Sequence, residues 1–327
     1  MQKKPTYIPY LIFVIITLPI WAIYLSSTGQ WSVIQENWQV TLTMIFGSFI
    51  AGASSEGGGA IAYPVLTLLL DVAPASARNF SFAIQSIGMT AASLLIIGLR
   101  IPIEWRSIKW AAIGGIPGLI IGTFFVAPFV HPAQTKLIFV TIWLGFGLAL
   151  WLINRLDNRV LHDTIIPEAR RIGIKLIAGG FIGGVVTALF GNGIDIFTFC
   201  ILVLYFGLNE KIATPTSVVL MTILTICGYF LHLLIGDFKQ LEYDFWLAAI
   251  PVVIFGAPLG ALVISKIKRQ NIVYLLYAIM ISQYIGALYV IQPSFIELTI
   301  SLSFGLLAFL FFSWLKRKGF ARSEVIQ

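Results

Sequence analysis

Two carboxylates, Glu56 and Asp195, lie inside long apolar stretches, each beside a cluster of glycines. Glu56 precedes Gly57-Gly58-Gly59, and Asp195 follows Gly191-Asn192-Gly193. An ionisable group at membrane depth is costly and marks a functional hypothesis by default. A carboxyl in such a place can carry a proton while an anion sits nearby, so Glu56 and Asp195 are the proton-coupling candidates. For Glu56 a second reading stays open, in which it caps a helix starting at Gly57.

Glycine clusters interrupt helices, because each glycine costs about 1 kcal/mol relative to alanine and admits positive φ. Where a helix restarts after a break, its first N–H groups lack intrahelical partners and the macrodipole places partial positive charge there. That combination can hold an anion without a buried lysine or arginine. The candidate solute contacts are therefore Ser55, Glu56, Gly57, Gly58 and Gly59 at one break and Gly191, Asn192 and Gly193 at the other. The competing reading is that the glycines only permit close helix packing. The helices that follow add Asn79, Ser81 and Gln85, and Thr214, Thr216 and Ser217. Thr214 is expected to be an N-cap with Pro215 at the first helical position.

Other chemistries lack their residues. Cys200 and Cys227 sit in apolar segments and His131, His162 and His232 are scattered, so no metal spacing or disulfide framework is expected. No H-E-x-x-H, G-x-S-x-G or nucleotide-binding motif occurs, which argues against an enzyme, a cofactor and a built-in ATPase.

The elements that must position these residues are apolar spans. The chain is 58% hydrophobic and 11% charged, whereas soluble domains carry roughly a quarter charged residues. Apolar runs at about 7–25, 79–98, 109–129, 136–154, 212–235, 245–265, 272–290 and 294–315 have the length needed to cross a hydrocarbon core of roughly 30 Å. Run 7–25 is expected to be a retained helix, being long for a signal core and poorly set for cleavage. Two further stretches, Val40 to Leu70 and Ile174 to Phe206, are cut by the glycine clusters and predict re-entrant hairpins. The fold class expected is all-α: a polytopic membrane protein with about eight spanning helices, two broken re-entrant hairpins and an inverted internal repeat.

Charge sorting agrees with this count. With the N-terminus inside, every lysine and arginine except Arg78, Lys136 and Lys239 falls on the inner side, as the positive-inside rule requires. The net charge of +7 is thus an orientation signal and not a nucleic-acid surface, since no basic face forms. Shifting the chain by 134 residues superposes Gly57 on Gly191, Gly59 on Gly193, Pro117 on Pro251 and Gly122 on Gly256. Each unit is a broken hairpin plus three spans; three is odd, so the second unit is inverted. The expected organisation is an N-terminal helix and loop (1–38), repeat 1 (39–154), a basic cytoplasmic linker (155–172), repeat 2 (173–290), and a C-terminal helix with a basic tail (291–327).

The broken hairpin with Gly57-Gly58-Gly59 followed by Pro64, and its second copy Leu189-Phe190-Gly191-Asn192-Gly193, resembles the sulfite exporter TauE/SafE family, also called the toluene-sulfonate uptake permeases. The resemblance spans roughly residues 40 to 290. It implies a carrier for sulfite, organosulfonates or other sulfur-containing anions. Ser55, Glu56, Asp195 and Thr198 depart from the usual pattern, and Gly-Asn-Gly replaces a second Gly-Gly-Gly. The expected function is secondary transport of a small sulfur-containing anion across the bacterial cytoplasmic membrane, with proton coupling and cytoplasmic termini. The alternatives kept open are an anion channel and a carrier of small organic carboxylates. The expected partners are the anionic solute and the lipid bilayer; a homodimer is compatible with the sequence, which does not fix oligomeric state.

Overall fold

A computed structural model describes residues 5–54, 57–154, 162–165, 169–266 and 269–326. In chain order its helices are α1 (Ile8–Thr28), α2 (Ser32–Glu36), α3 (Trp38–Ala53), α4 (Gly59–Pro64), α5 (Pro74–Gly98), α6 (Trp105–Ile121), α7 (Pro132–Asn154), α8 (Ala169–Phe190), α9 (Ile194–Cys200), α10 (Glu210–Leu234), α11 (Gln240–Lys266), α12 (Arg269–Ile291) and α13 (Phe295–Ile326). No strand occurs among the described residues; one isolated bridge joins His162 and Leu208. Lipid offers no partner to backbone N–H and C=O groups, so segments this apolar satisfy them internally as helices. The protein is an all-α polytopic membrane protein.

Among the described residues, seven helices are long and apolar enough to cross a membrane. They differ from the sequence expectation in one respect. Ile172–Phe190, read above as one limb of a hairpin, is among the seven. The runs 136–154 and 272–290 lie in the 23-residue helices α7 and α12, of which Gln134–Leu148 and Met280–Ile291 are the described apolar stretches. Burial separates inner from outer helices. The apolar window of Pro74–Gly98 is 72% buried, against 6% for Ile8–Thr28 and 17% for Phe295–Leu315. Helix α5 therefore forms the core, while α1 and α13 show isoleucines, leucines and phenylalanines such as Ile15, Ile23, Leu306 and Leu307 on the outside. Apolar surface on this scale suits lipid and not water.

The main helix pairings are α6 with α8, α3 with α11, and α5 with α10. Helices α3 and α8 occupy corresponding positions under the 134-residue shift, as do α6 and α11. Each long limb thus packs on a helix from the other half of the chain. Small residues bring these pairs together. A Cβ added at Gly52 would collide with the Ala257 carbonyl, one at Gly260 with the Phe49 carbonyl, one at Gly114 with the Ile177 carbonyl, and one at Gly184 with the Gly115 carbonyl. Backbone-to-backbone contact of this kind leaves no flexible side chain to absorb an added methyl.

Both glycine clusters interrupt helices. Helix α3 stops at Ala53, where Ser54 turns extended (φ −140°, ψ 171°) and its hydroxyl donates to Ile50 O. The chain becomes helical again at Gly59, after Gly57 at φ 68°. Helix α8 stops at Phe190, Gly191 and Gly193 adopt φ 77° and 146°, and α9 starts at Ile194. Each short helix runs on into a π-helical turn, Val65–Leu69 and Ile201–Tyr205. Such turns are rare and are often found at functional sites.

The N-cap expected at Thr214 is corrected. Helix α10 begins one turn earlier, at Glu210, and Asn209 caps it by accepting a hydrogen bond from the Lys211 N–H at 3.1 Å. Asparagine is a better cap than threonine, and the apolar run continues upstream through Ile212 and Ala213. Pro215 consequently lies inside the helix. Helix α5 likewise begins at Pro74, which places Arg78 and Asn79 within it.

Candidate functional site

The two breaks, 134 residues apart in sequence, touch. A methyl built on Gly57 would lie 2.7 Å from Asp195 Oδ2 and 2.9 Å from Gln85 Oε1. One on Gly59 would lie 2.8 Å from the Asn192 carboxamide carbon, and one on Gly191 would lie 2.6 Å from Ser81 Cβ and 2.8 Å from the Arg78 carbonyl. Asn192 and Asp195 come from the second break, Gln85 and Ser81 from α5, and the bare backbone of Gly57–Gly59 from the first. All of these side chains are buried, at 2% exposure or less. Glycine is required at Gly57 on two counts: its positive φ, and two oxygens occupying the space where a Cβ would stand.

The start of α9 is already occupied. Asp195 Oδ1 accepts the N–H groups of Gly193 and Ile196, both at 3.0 Å. Thr187 Oγ1 accepts the Ile194 N–H at 2.9 Å and donates to Gly183 O at 2.8 Å. The amides that sequence reasoning offered to an incoming anion are thus held by the chain's own carboxylate and by a threonine on α8. Nothing in the sequence marks Thr187, because the contact spans seven residues across a turn whose path only the fold determines.

Gln85 bridges the break to α5. Its Nε2 donates to Ser81 O and to Gly191 O, both at 3.0 Å. A nitrogen aimed at two carbonyls fixes the carboxamide orientation, so Oε1 is the atom that faces Gly57. Oε1 of Gln85 and Oδ2 of Asp195 are both buried without a hydrogen-bond partner among the described residues, as is Thr198 Oγ1 on α9. No cation among the described residues pairs with Asp195.

The structure therefore brings together Gly57, Gly58, Gly59, Ser81, Gln85, Gly191, Asn192, Gly193 and Asp195. Ser55 and Glu56 lie outside the described residues. Asn79, Thr216 and Ser217 serve elsewhere. Thr216 Oγ1 accepts the Glu104 N–H at 2.9 Å and donates to Ile212 O, while Ser217 Oγ donates to Thr214 O. Thr214 is buried within α10. Asn79 belongs to a polar cluster that the sequence reading missed. Its Nδ2 donates to Asp237 O at 3.1 Å, and its Oδ1 accepts from Arg78. Arg78 pairs with Asp237 Oδ2 at 3.2 Å, and His232 Nδ1 meets the same carboxylate at 2.9 Å. His232 is fully buried and stacks on Phe82 at 5.3 Å. Asp237 lies in the loop between α10 and α11. Burial alone would raise its pKa, but the hydrogen bond and charge of His232, the Arg78 guanidinium and the Asn79 amide hold it below the usual carboxylate range. This cluster ties α5 to the α10–α11 loop.

Two interrupted helices of a polytopic bundle thus meet at buried polar groups. Residues 40–289 match the family described as Sulfite exporter TauE/SafE. The chain belongs to the sulfite exporter TauE/SafE family. Membership implies membrane transport of sulfite or a related anion. Neither the comparison with curated proteins nor that with solved structures returned a match. The TauE/SafE match begins at the first broken stretch and ends within α12, so both breaks and the helices packed on them fall inside it.

Steric detail at the first break separates its glycines. A methyl on Gly58 meets only ordinary contacts, Ala51 and Gln85 at 3.5 Å, whereas one on Gly59 presses on Asn192 from 2.8 Å. Gly59→Ala is expected to lower anion flux about tenfold more than Gly58→Ala, for an overpacking cost of about 1–3 kcal/mol. Initial rates in proteoliposomes measure the difference, and equal losses would show that Asn192 yields without consequence.

Proposed function

We propose that the protein is a secondary carrier that moves sulfite or a small organosulfonate through the junction of its two helix breaks. The solute would lie against the bare backbone of Gly57–Gly59, with Asn192 as its polar contact, Gln85 and Ser81 bracing the second break, and the carboxyls Glu56 and Asp195 coupling protons to its passage. The observation that carries this reading is the meeting of the breaks: Gly57 against Asp195 and Gln85, and Gly59 against Asn192. Inverted repeats with paired broken helices place a carrier's solute site near the midplane, between halves that can rock about it. The cross-packing of α3 on α11 and of α6 on α8 supports such a two-unit arrangement, with boundaries at 39–154 and 173–290. The charge sorting supports cytoplasmic termini in a bacterial inner membrane.

Buried side chains filling the junction favour a carrier over an open pore, because a channel needs a continuous wetted path. The test is flux of labelled sulfite, sulfonates and carboxylates in proteoliposomes, with and without trans solute. The expected result is saturable uptake of a sulfur-containing anion, stimulated by the same anion on the far side and reduced at least tenfold in Asn192→Leu. Uptake that does not saturate and shows no counterflow would identify a channel. Transport confined to carboxylates would overturn the substrate class.

A further inference from the structure

The two breaks are related by duplication but not by chemistry. The first sets Glu56, outside the described residues, before three consecutive glycines. The second sets Asp195 after its glycines, and that carboxylate has already taken the amides a solute would need. We propose that the second break is a proton site and not a second anion site: Asp195 Oδ2 holds one proton and donates it to Gln85 Oε1. This inference rests on the carrier reading above and names the atoms that would couple its proton.

The argument is one of unmatched acceptors. Asp195 Oδ1 is fixed by two amides at 3.0 Å, so the carboxyl cannot rotate to offer both oxygens to other partners. Gln85 Nε2 is fixed by two carbonyls at 3.0 Å, so its oxygen cannot exchange places with its nitrogen. The remaining oxygens, Oδ2 and Oε1, both converge on the face of Gly57, within 3 Å of one point. Each is buried and without a hydrogen-bond partner among the described residues. Two acceptors crowded against the same point repel, and each unsatisfied buried acceptor costs about 1–3 kcal/mol. A single proton on Oδ2 converts the repulsion into a hydrogen bond and removes the buried charge. An anion at the same spot would add a third acceptor and worsen the mismatch. Beside a neutral Asp195, an anion against Gly57–Gly59 meets no like charge from the second break.

No other charge competes for this role among the described groups on the elements packed around α9. On α8, Lys175 binds the Tyr205 hydroxyl. On α10, Glu210, Lys211 and His232 stand near the helix ends. On α5, the Arg78 guanidinium is directed to Asp237. The remaining titratable groups described there are Tyr63 of α4 and Cys200 of α9, both buried, and Cys227 and Tyr229 of α10, both partly buried and uncharged at neutral pH. Glu56, next to Gly57, lies outside the described residues.

Asp195→Asn gives a sharp test. Its Oδ1 can keep both amide bonds while its Nδ2 donates to Gln85 Oε1, so the variant imitates the proton-loaded state permanently. In proteoliposomes, the accumulation ratio of the wild-type protein should change about tenfold per unit of pH gradient for each coupled proton; in Asp195→Asn it should not follow the gradient. A sodium gradient should leave both unchanged. Infrared difference spectra of the unlabelled protein supply a readout independent of transport. The wild type should show a protonated-carboxyl band at neutral pH that is absent in Asp195→Asn. In Gln85→Leu, which removes the acceptor, that band should move to the higher frequency of a carboxyl without a hydrogen bond. Absence of the band from the wild type, pH-driven accumulation retained in Asp195→Asn, or sodium in place of protons as the driving ion would each overturn the proposal. A band that behaves as expected in a protein that moves no anion would overturn the carrier reading and leave the proton site standing.

Discussion

Gly57→Ala is expected to lower anion flux by about 30-fold or more while the protein still inserts and folds. Two costs combine. A non-glycine residue at positive φ costs of order 1–3 kcal/mol, and Gly57 sits at φ 68°. The added methyl would also stand 2.7 Å from Asp195 Oδ2 and 2.9 Å from Gln85 Oε1, an overpacking of about 1–3 kcal/mol. Even the lower sum, about 2 kcal/mol, makes the intact junction roughly 30-fold less populated, since each 1.36 kcal/mol is a factor of ten. The penalty falls on a break with no helix to melt, so it should appear in transport before it appears in global stability. Initial uptake rates at matched protein density, read beside a thermal melt in detergent, provide the measurement. Flux within threefold of the wild type would mean that the first break relaxes freely and that its contact with Asp195 and Gln85 is incidental.

Asp237→Ala should produce the opposite signature, a large loss of stability from a residue outside the junction. The change leaves a buried guanidinium at Arg78 without its countercharge and removes the carboxylate that meets His232; Asn79 loses the contact to Oδ1 but keeps the backbone carbonyl of residue 237. Removing one member of a buried pair costs about 3–5 kcal/mol. Because the Asp237 side chain is 37% exposed, solvent screening lowers the expectation to about 1–3 kcal/mol. The pH dependence has a definite sign. Asp237 has a folded pKa below its ordinary value, so its contribution is fully present above the unfolded carboxylate range and is lost as pH falls through the depressed value. The wild-type melting temperature should therefore drop on acidification below about pH 4, and Asp237→Asn should flatten that limb. Identical melting curves for wild type and Asp237→Ala at neutral pH would show that the cluster carries no net stability.

The composition, the apolar runs and the two glycine clusters were enough to establish a helical membrane protein interrupted at two equivalent places. These properties are local: a run of some twenty apolar residues has few options in lipid, and adjacent glycines weaken a helix wherever they fall. The family was legible for the same reason, since Gly57-Gly58-Gly59 with Pro64 and Gly191-Asn192-Gly193 are contiguous motifs. Helix starts were less legible. Asn209 outcompeted Thr214 as a cap, five residues upstream, because asparagine caps better than threonine and the apolar run extends back through Ile212 and Ala213.

Only the tertiary structure decided which polar groups meet. Gln85 reaches Gly191 across 106 residues, and Asn79 reaches Asp237 across 158, separations over which sequence spacing carries no geometric information. The sequence singled out Asn79 and Gln85 together, six residues apart on one helix; the fold sends one to a loop and the other to the breaks. It also showed that Asp195 satisfies its own helix start, leaving one oxygen to face Gln85. A carboxylate's partners depend on which backbone amides the fold aims at it, and in this protein those amides belong to a turn whose shape is set by Gly191, Gly193 and Thr187 together.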